Sequence, residues 1–125
     1  MKTRRSIAAF FVAALLSAAT LLPAPVSAGE LGSSMHLVYP NPFTVGTTFQ
    51  LSMPRPGKVR IVVYDLLGKE VSILADDKDY DAGNFDVPWD GNDKTGTPVT
   101  PGMYICVLFS EGVAVKSVKV VKVVG

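Results

Sequence analysis

Cysteine and histidine are almost absent from this 125-residue sequence, which contains one of each. A single cysteine excludes a disulfide within the chain, so an exported domain of this composition must be stabilised by its apolar core. Cys106 stands among apolar residues, which is typical of a buried small hydrophobe. His36 lies in an apolar run, which is typical of a half-buried strand residue. The Gly-x-Ser-x-Gly, His-Glu-x-x-His and phosphate-loop motifs are also missing, and we predict no catalytic residue and no cofactor.

An excess of positive charge is missing as well. The twelve basic and eleven acidic side chains nearly balance. Removal of a leader with three basic residues would leave nine basic against eleven acidic side chains, a net charge of −2. A nucleic-acid-binding domain would need a basic stripe to neutralise phosphates. The charge balance therefore argues against nucleic-acid binding, and we predict no small-molecule substrate either.

Long hydrophobic runs are confined to the N-terminus. Residues 7–22 read IAAFFVAALLSAATLL; they follow a basic segment and precede VSA, a small-residue cleavage motif that ends at Ala28. This order predicts a secretory signal peptide over residues 1–28, and export through the inner membrane to the periplasm, the cell surface or the extracellular space. A membrane anchor is the alternative. It is disfavoured because Pro23 and Pro25 end a run shorter than the ~20 residues that a spanning helix needs.

No window after the leader has the apolar spacing of an amphipathic helix. Apolar and polar residues alternate instead, in seven short segments separated by turn-forming residues. This pattern predicts an all-β fold, a seven-stranded antiparallel immunoglobulin-like sandwich over residues 36–125, after a flexible N-terminus over residues 29–35. The predicted strands are 35–39, 47–53, 58–65, 70–75, 84–89, 103–110 and 113–124. Residues 76–83 are predicted to form an acidic loop, and the strand 103–110, apolar on both faces, is predicted to be central.

The last predicted strand has an unusual lysine spacing. Lys116, Lys119 and Lys122 recur at every third position, so Lys119 must face the opposite side from the other two. We expect either a β-bulge near residues 117–119 or an edge strand that its lysines protect from further pairing.

The stretch WDGNDKTGTPVTPGMY, residues 89–104, consists mainly of turn-forming residues between two aromatics. Trp89 ends a strand on its inward face and is expected to anchor the end of the core. Aspartate, asparagine and glycine predict Asx turns, and Pro101 with Gly102 fits the centre of a type II turn, in which Gly102 would have a positive φ. We interpret the stretch as a connection between strands.

Calcium binding is the alternative interpretation of the acidic segments. Asp77, Asp79 and Asp81 have the spacing of EF-hand ligands, but Ala82 and Pro88 occupy the positions where that loop requires Gly and Glu. Solvated acidic side chains are therefore the default interpretation. A looser site remains open on three later residues: Asp90, Asn92 and Asp93.

Three segments together resemble a known family: YPNPF (39–43), TTFQLSMPRPGKVRIVVYDLLGKEV (47–71) and GNFDVPWDGNDKTGTPVTPGMY (83–104). They are similar to the immunoglobulin-like module of the flagellar hook-scaffolding protein FlgD and to the C-terminal sorting domains of the type IX secretion system. YPNPF and the lysine-rich valine tail resemble the sorting domain more closely. The resemblance covers residues 36–125.

The resemblance implies a module without catalytic activity, recognised by the outer-membrane export machinery and removable when cargo is attached to the surface. Matching positions imply a recognition surface of Tyr39, Pro40, Asn41, Pro42, Asp65, Gly68, Gly102, Tyr104 and the tail 116–125 with Lys116, Lys119 and Lys122. Such modules normally follow a large cargo domain, which this sequence lacks. It also lacks the N-terminal partner-binding segment of hook-scaffolding proteins. We expect a stand-alone surface module, a remnant of a larger gene or a misplaced gene start; the leader disfavours the last.

Two functions follow as hypotheses. The first is a non-catalytic exported module that acts as a type IX sorting or cell-surface attachment domain, with the secretion machinery or another surface protein as its partner. The second is a structural or scaffold module of the hook-scaffolding type that binds another protein through an exposed sheet edge. Neither requires a metal or a cofactor.

Overall fold

A computed structural model describes residues 32–125, which form seven antiparallel β-strands in two sheets and, within this range, no helix. The predicted signal peptide lies outside the described residues. No helix in the described range has the length and hydropathy needed to cross a membrane. The strands are β1 (Ser34–Tyr39), β2 (Thr47–Met53), β3 (Gly57–Tyr64), β4 (Glu70–Tyr80), β5 (Gly83–Trp89), β6 (Gly102–Ser110) and β7 (Val113–Lys122). The predicted all-β, seven-stranded pattern is confirmed.

The smaller sheet contains β1, β2 and β5, with β2 in the middle. Every second residue of β2, from Thr47 to Met53, is buried and those between are half-buried, because successive side chains of a strand point to opposite faces. β1 begins at Ser34 and Met35 is fully buried, so the sheet starts inside the segment for which the sequence predicts a flexible N-terminus. His36 lies on β1 but faces away from the core, and it is exposed rather than half-buried.

The larger sheet has the order β4-β3-β6-β7. Val59, Ile61 and Val63 of β3 are fully buried on its inner face. β6 is internal, as its apolar pattern predicts. On the outer face Val107 of β6 lies opposite Val62 of β3, and the two side chains are 9% and 0% exposed. β6 therefore carries apolar residues on both faces because it lies between two other strands.

One apolar core joins the two sheets. Phe49 and Leu51 from the smaller sheet and Ile61, Cys106 and Leu108 from the larger sheet belong to the same cluster, and each is 0% exposed. Burial of one leucine, isoleucine or phenylalanine side chain contributes about 1.5–3 kcal/mol. Because Cys106 is the only cysteine and is buried without a partner, apolar packing takes the place that disulfides hold in many small exported domains.

β4 is longer than the sequence predicts and extends into the segment 76–83, which is a strand as far as residue 80 and not an acidic loop. Two ion pairs with β3 hold its acidic side chains: Lys58 Nζ lies 3.2 Å from Asp79 Oδ1, and Arg60 Nη1 lies 3.0 Å from Asp76 Oδ1. The loop prediction was wrong because residues 78–80 pair with β3, and the composition of the segment does not reveal this pairing.

β7 contains a bulge, but not at residues 117–119, where one was expected. Lys116 pairs with one residue of β6 and Ala114 with the next, so Val115 has no partner across the strand pair. The extra residue follows the tight β6–β7 turn. The predicted position was wrong because the position of the bulge depends on the pairing with β6 and not on the lysine spacing.

Beyond this bulge the pairing is regular, and Lys119 faces the opposite side from Lys116 and Lys122, as predicted. Val120 shares the face of the latter two and is 0% exposed. Lys116 and Lys122 therefore lie on either side of the buried part of this face. Lys122 Nζ donates a hydrogen bond to the carbonyl of Val99 (2.8 Å). β7 is also an edge strand of the larger sheet, as the second expectation for the tail requires; the protection of this edge by its lysines stays a prediction.

The antiparallel register places alternate connections at opposite ends of the two sheets. Ser33 and the β2–β3, β4–β5 and β6–β7 connections lie at one end. The other end carries the β1–β2 loop, the β3–β4 turn, the β5–β6 loop and the C-terminus. We call this second end the motif end; it comprises residues 39–46, 64–70, 89–104 and 121–125.

Candidate recognition site

YPNPF contacts the C-terminal tail directly at the motif end. The Oδ1 atom of Asn41 accepts a hydrogen bond from the backbone N–H of Val121 (3.0 Å). The N–H of Phe43 donates to the carbonyl of Val121 and the carbonyl of Phe43 accepts from the N–H of Val123, both at 2.9 Å. We call these three hydrogen bonds the tail clamp. It occupies the outer edge of β7 at its C-terminal end and joins segments about eighty residues apart.

Phe43 fixes the clamp to the core. Its ring is 1% exposed and packs edge-to-face on Trp89 with centroids 5.3 Å apart. Trp89 in turn packs against Tyr104 at 5.7 Å, and its indole N–H donates to the carbonyl of Asn92 (3.0 Å). Edge-to-face aromatic pairs contribute about 0.5–1.5 kcal/mol beyond area burial. Trp89 therefore occupies the end of the core where the sequence places it.

The β3–β4 turn DLLGK is built by the two residues that the family resemblance singles out. Asp65 Oδ1 accepts hydrogen bonds from the N–H groups of Leu67 and Lys69, both at 2.9 Å. Gly68 has a φ of 86°, a value that residues with a Cβ rarely adopt. Asp65 and Gly68 thus form the turn itself. Leu66 and Leu67, between them, are 64% and 93% exposed.

The β5–β6 loop contains the Asx turns that its sequence predicts. Asp90 Oδ1 accepts from the N–H of Asn92 (2.9 Å), and Asp93 Oδ1 accepts from Thr95 and Thr97. Hydrogen bonds from the Thr95 hydroxyl and from the backbone of Thr97 and Thr95 lower the pKa of Asp93. These carboxylates therefore stabilise the loop that carries them.

Gly102 differs from the prediction in part. Its φ is positive, at 151°, but the third residue of a type II turn has φ near +80°. Gly102 already belongs to β6 and pairs with Lys122 of β7. The turn type is therefore wrong, because the strand starts one residue earlier than the sequence indicates.

Glu70 links the β5–β6 loop to the larger sheet. Its carboxylate accepts from Lys94 Nζ (2.9 Å) and from Arg60 Nη2 (3.1 Å). The hydrogen bond from Lys94 is the main cause that lowers the pKa of Glu70; Arg60 adds to the effect and burial opposes it. A cleft of about 580 Å³ lies between the β3–β4 turn and this loop; Asp65, Lys69, Glu70, Asp93 and Lys94 line it together with Tyr104 and three threonines.

The residues considered for calcium lie in separate places. Asp79 is on β4 in an ion pair with Lys58, whereas Asp90 and Asp93 each bind their own turn. Within residues 32–125 no set of three or more His, Cys, Asp or Glu side chains is placed to hold a metal ion. Cys106 is buried and inaccessible. Burial also raises the pKa of its thiol, so the thiol stays protonated.

The structure brings together most, but not all, of the residues implied by the resemblance. Tyr39, Pro40, Asn41 and Pro42 are exposed at the motif end, where Lys122 also lies. Tyr104 is buried in the aromatic cluster. Lys116 and Lys119 lie farther along β7, opposite Leu108 and Ile105. Two features were not predicted: the tail clamp and the exposed leucine pair. The sequence signal for the exposed leucine pair was the presence of two apolar residues between the aspartate and the glycine of a turn.

The class of protein follows from this geometry: a small all-β module whose C-terminal strand is held at one end by its own N-terminal motif. The chain belongs to the family of secretion system C-terminal sorting domains, whose family model matches residues 37–123. No curated relative matches the sequence.

Two solved structures contain a similar region. Dimeric latent PorU from Porphyromonas gingivalis matches 74% of this chain with a TM-score of 0.58 and 23% identity, and this chain spans 10% of the length of PorU. PorZ, an essential surface component of the type IX secretion system of the same bacterium, matches 80% of this chain and 12% of its own length, with a TM-score of 0.46 and 12% identity. The likeness to PorU is one of fold.

Proposed function

We propose that this chain is an exported module without catalytic activity that the type IX secretion machinery recognises as a sorting or cell-surface attachment domain. The observation that carries the proposal is the family match over residues 37–123, which reaches from β1 to the residue after β7. In this proposal the two sheets form an immunoglobulin-like sandwich and residues 1–28 are a cleaved leader.

The motif end supports a role in recognition. Tyr39 is 69% exposed and Val124 is 81% exposed, and the tail clamp between them fixes the tail relative to YPNPF. A partner that recognises the tail in the folded module would therefore meet YPNPF at the same surface.

The chemistry of the motif end fits binding better than catalysis. The carboxylates of Asp65, Asp90 and Asp93 accept hydrogen bonds from their own turns. Glu70 is held between two cations. A general base needs a free lone pair directed at a substrate, and these groups are committed to the architecture of the loops.

An export assay tests the proposal. A reporter inserted between residues 28 and 29 of the full chain is expressed in a host with a type IX system, and its amount is measured in the periplasm, on the cell surface and in the medium. We expect reporter outside the outer membrane. The matched control carries the leader and reporter without residues 29–125 and should stay in the periplasm. Retention of the complete fusion in the periplasm, despite correct folding, contradicts the proposal.

The edge of β7 favours a second candidate, a scaffold module that binds an extended segment of another protein. Among the described residues the tail clamp covers this edge at positions 121–123, whereas Lys116, Ser117 and Lys119 are exposed farther along it. An unpaired edge offers backbone groups for strand addition. This candidate predicts a stable partner in a pull-down with the folded module and no loss of export when Lys116 and Lys119 are replaced by alanine.

A further inference from the structure

Exposed apolar side chains are concentrated at the motif end. Nine large hydrophobic residues of the described range are exposed, and only Val113 and Val115 lie elsewhere. The others belong to the end of β1, two connections, the start of β6 and the tail: Tyr39, Val45, Leu66, Leu67, Met103, Val123 and Val124. Single exposed apolar residues are ordinary on a protein surface, whereas exposed apolar residues that adjoin one another are typical of interaction sites.

Leu66 and Leu67 are the most distinctive members of this set, because the fold does not require them. Asp65 caps the turn and Gly68 supplies its positive φ. The two positions between them would accept polar residues, which turns normally carry. Leucine at both positions lowers solubility and gains little burial in the chain itself, since Leu66 is 64% and Leu67 is 93% exposed.

The turn is also rigid. Besides the two bonds to the Asp65 carboxylate, the N–H of Asp65 donates to the carbonyl of Lys69 (3.0 Å) and the N–H of Gly68 donates to the carbonyl of Asp65 (3.1 Å). A pre-organised apolar tip loses little conformational entropy when a partner binds it. The two leucines are therefore presented as a fixed knob.

The position of the knob identifies the kind of partner. The knob lies at the end of the sheets opposite to Ser33, roughly 25 Å away along an eight-residue strand. The adjacent cleft carries three carboxylates (Asp65, Glu70, Asp93) and two lysines (Lys69, Lys94). Charges of both signs beside an apolar tip suit a protein pocket with a polar rim, whereas an anionic lipid surface would favour lysines alone.

We propose that Leu66 and Leu67 are the anchor with which the module docks into an apolar pocket of a protein of the export apparatus. The inference rests on the proposed function and assigns the contact to two residues outside the recognition set that the family resemblance implies. Asp65 and Gly68 act as positioning residues, because they hold the turn and leave the contact to the leucines.

The test compares two double variants in the full chain with the reporter inserted between residues 28 and 29. L66S/L67S removes the knob, and V113S/V115S removes two exposed valines at the other end as a matched control. Thermal melts of both should stay close to the parent, because the replaced side chains are exposed. We expect L66S/L67S to lower the exported reporter about tenfold or more, as loss of a central anchor does, and V113S/V115S to change it by less than about twofold.

A photo-crosslinking amino acid at position 67 should capture an envelope protein, and the same group at position 113 should not. Export of L66S/L67S at the parent level overturns this inference and leaves the proposed function intact, whereas retention of the parent overturns both. Leucine-dependent co-sedimentation of the purified fusion with vesicles of phosphatidylethanolamine and phosphatidylglycerol would also overturn it, because the anchor would then enter lipid. Should L66S/L67S melt early, the single variant L67S replaces it.

Discussion

Individual atoms decide the shape of the motif end. The carboxylates of Asp65, Asp90 and Asp93 each satisfy backbone N–H groups within their own turn. Glycines fill positions of positive φ beside them. Such turns depend on single residues, because a lost acceptor or an added Cβ has no nearby substitute. Residue-scale changes at this end should therefore have distinct and separable effects.

The first prediction compares two glycines in the β5–β6 loop. Gly91 and Gly96 have similar φ values, 81° and 89°. A Cβ on Gly91 would lie well inside van der Waals contact with the carbonyl oxygen of Val45, whereas a Cβ on Gly96 would meet nothing within 4 Å. Gly96→Ala should cost about 1–2 kcal/mol, the strain of a left-handed backbone. Gly91→Ala should cost about 3–5 kcal/mol. Chemical denaturation measures both, and equal losses would show that the clash relaxes freely.

The second prediction concerns the tail clamp. Asn41→Ala removes the acceptor for the N–H of Val121 and should lower the free energy of unfolding by about 1 kcal/mol. Amide exchange at Val121 should accelerate. Asn84→Ala is the matched control, because Asn84 accepts a comparable exposed hydrogen bond from Ser52 (2.9 Å). That variant should leave exchange at Val121 unchanged. Unaltered exchange in Asn41→Ala would mean that Phe43 alone holds the tail.

At the scale of strands, alternation of side chains predicted all seven elements, because each sheet has one face on the core and the pattern is local. Three boundaries were not predictable in this way. β4 continues to residue 80 because it pairs with β3 up to that point, the bulge in β7 lies where β6 requires it, and β6 begins at Gly102. Each of these features depends on pairing with another strand, and the sequence of one segment does not show which strand it pairs with.

The third prediction concerns the ion pairs that join the β5–β6 loop to β4. The pKa of Glu70 is lowered in the folded state, so its contribution to stability is present above the pKa of an ordinary glutamate and is lost as pH falls through the lowered value. Glu70→Gln should therefore reduce the melting temperature near pH 7 and have a smaller effect below about pH 4.

The control for this prediction is Asp81→Asn. Asp81 makes none of the side-chain hydrogen bonds or ion pairs found among the described residues. The difference in melting temperature between Asp81→Asn and the parent should change less with pH. A Glu70→Gln difference of the same size at both pH values would indicate that Lys94 and Arg60 do not hold the carboxylate in solution.

For the whole molecule, the core is the main source of stability. Cys106 lies inside it, 0% exposed, and burial raises the pKa of its thiol. The fourth prediction is that a thiol reagent modifies Cys106 only through global unfolding, at least about a thousandfold more slowly than in denaturant. The control is C106A/S117C, which places a thiol on the exposed Ser117 position and should react at once. Rapid labelling of native Cys106 would indicate local opening between β6 and β7.

Part of the candidate site was also accessible from the sequence. YPNPF, Asp65, Gly68 and the tail were identified by resemblance, and the structure places YPNPF, the DLLGK turn and the end of the tail at one end. The tail clamp could not be predicted from the sequence, because Asn41 and Val121 are eighty residues apart and neither segment contains a pattern that indicates contact with the other. The exposure of Leu66 and Leu67 was not accessible either, since apolar residues after a strand are as consistent with burial as with display.

The separation of the two ends has a consequence for passengers. Ser33, the point at which a polypeptide ahead of the module would be attached, lies beside Met53 and Ser110 at the end opposite the leucine knob and the clamped tail. The attachment point therefore leaves the surface proposed for a receptor uncovered, and passengers of different dimensions could share one receptor without a change in the module.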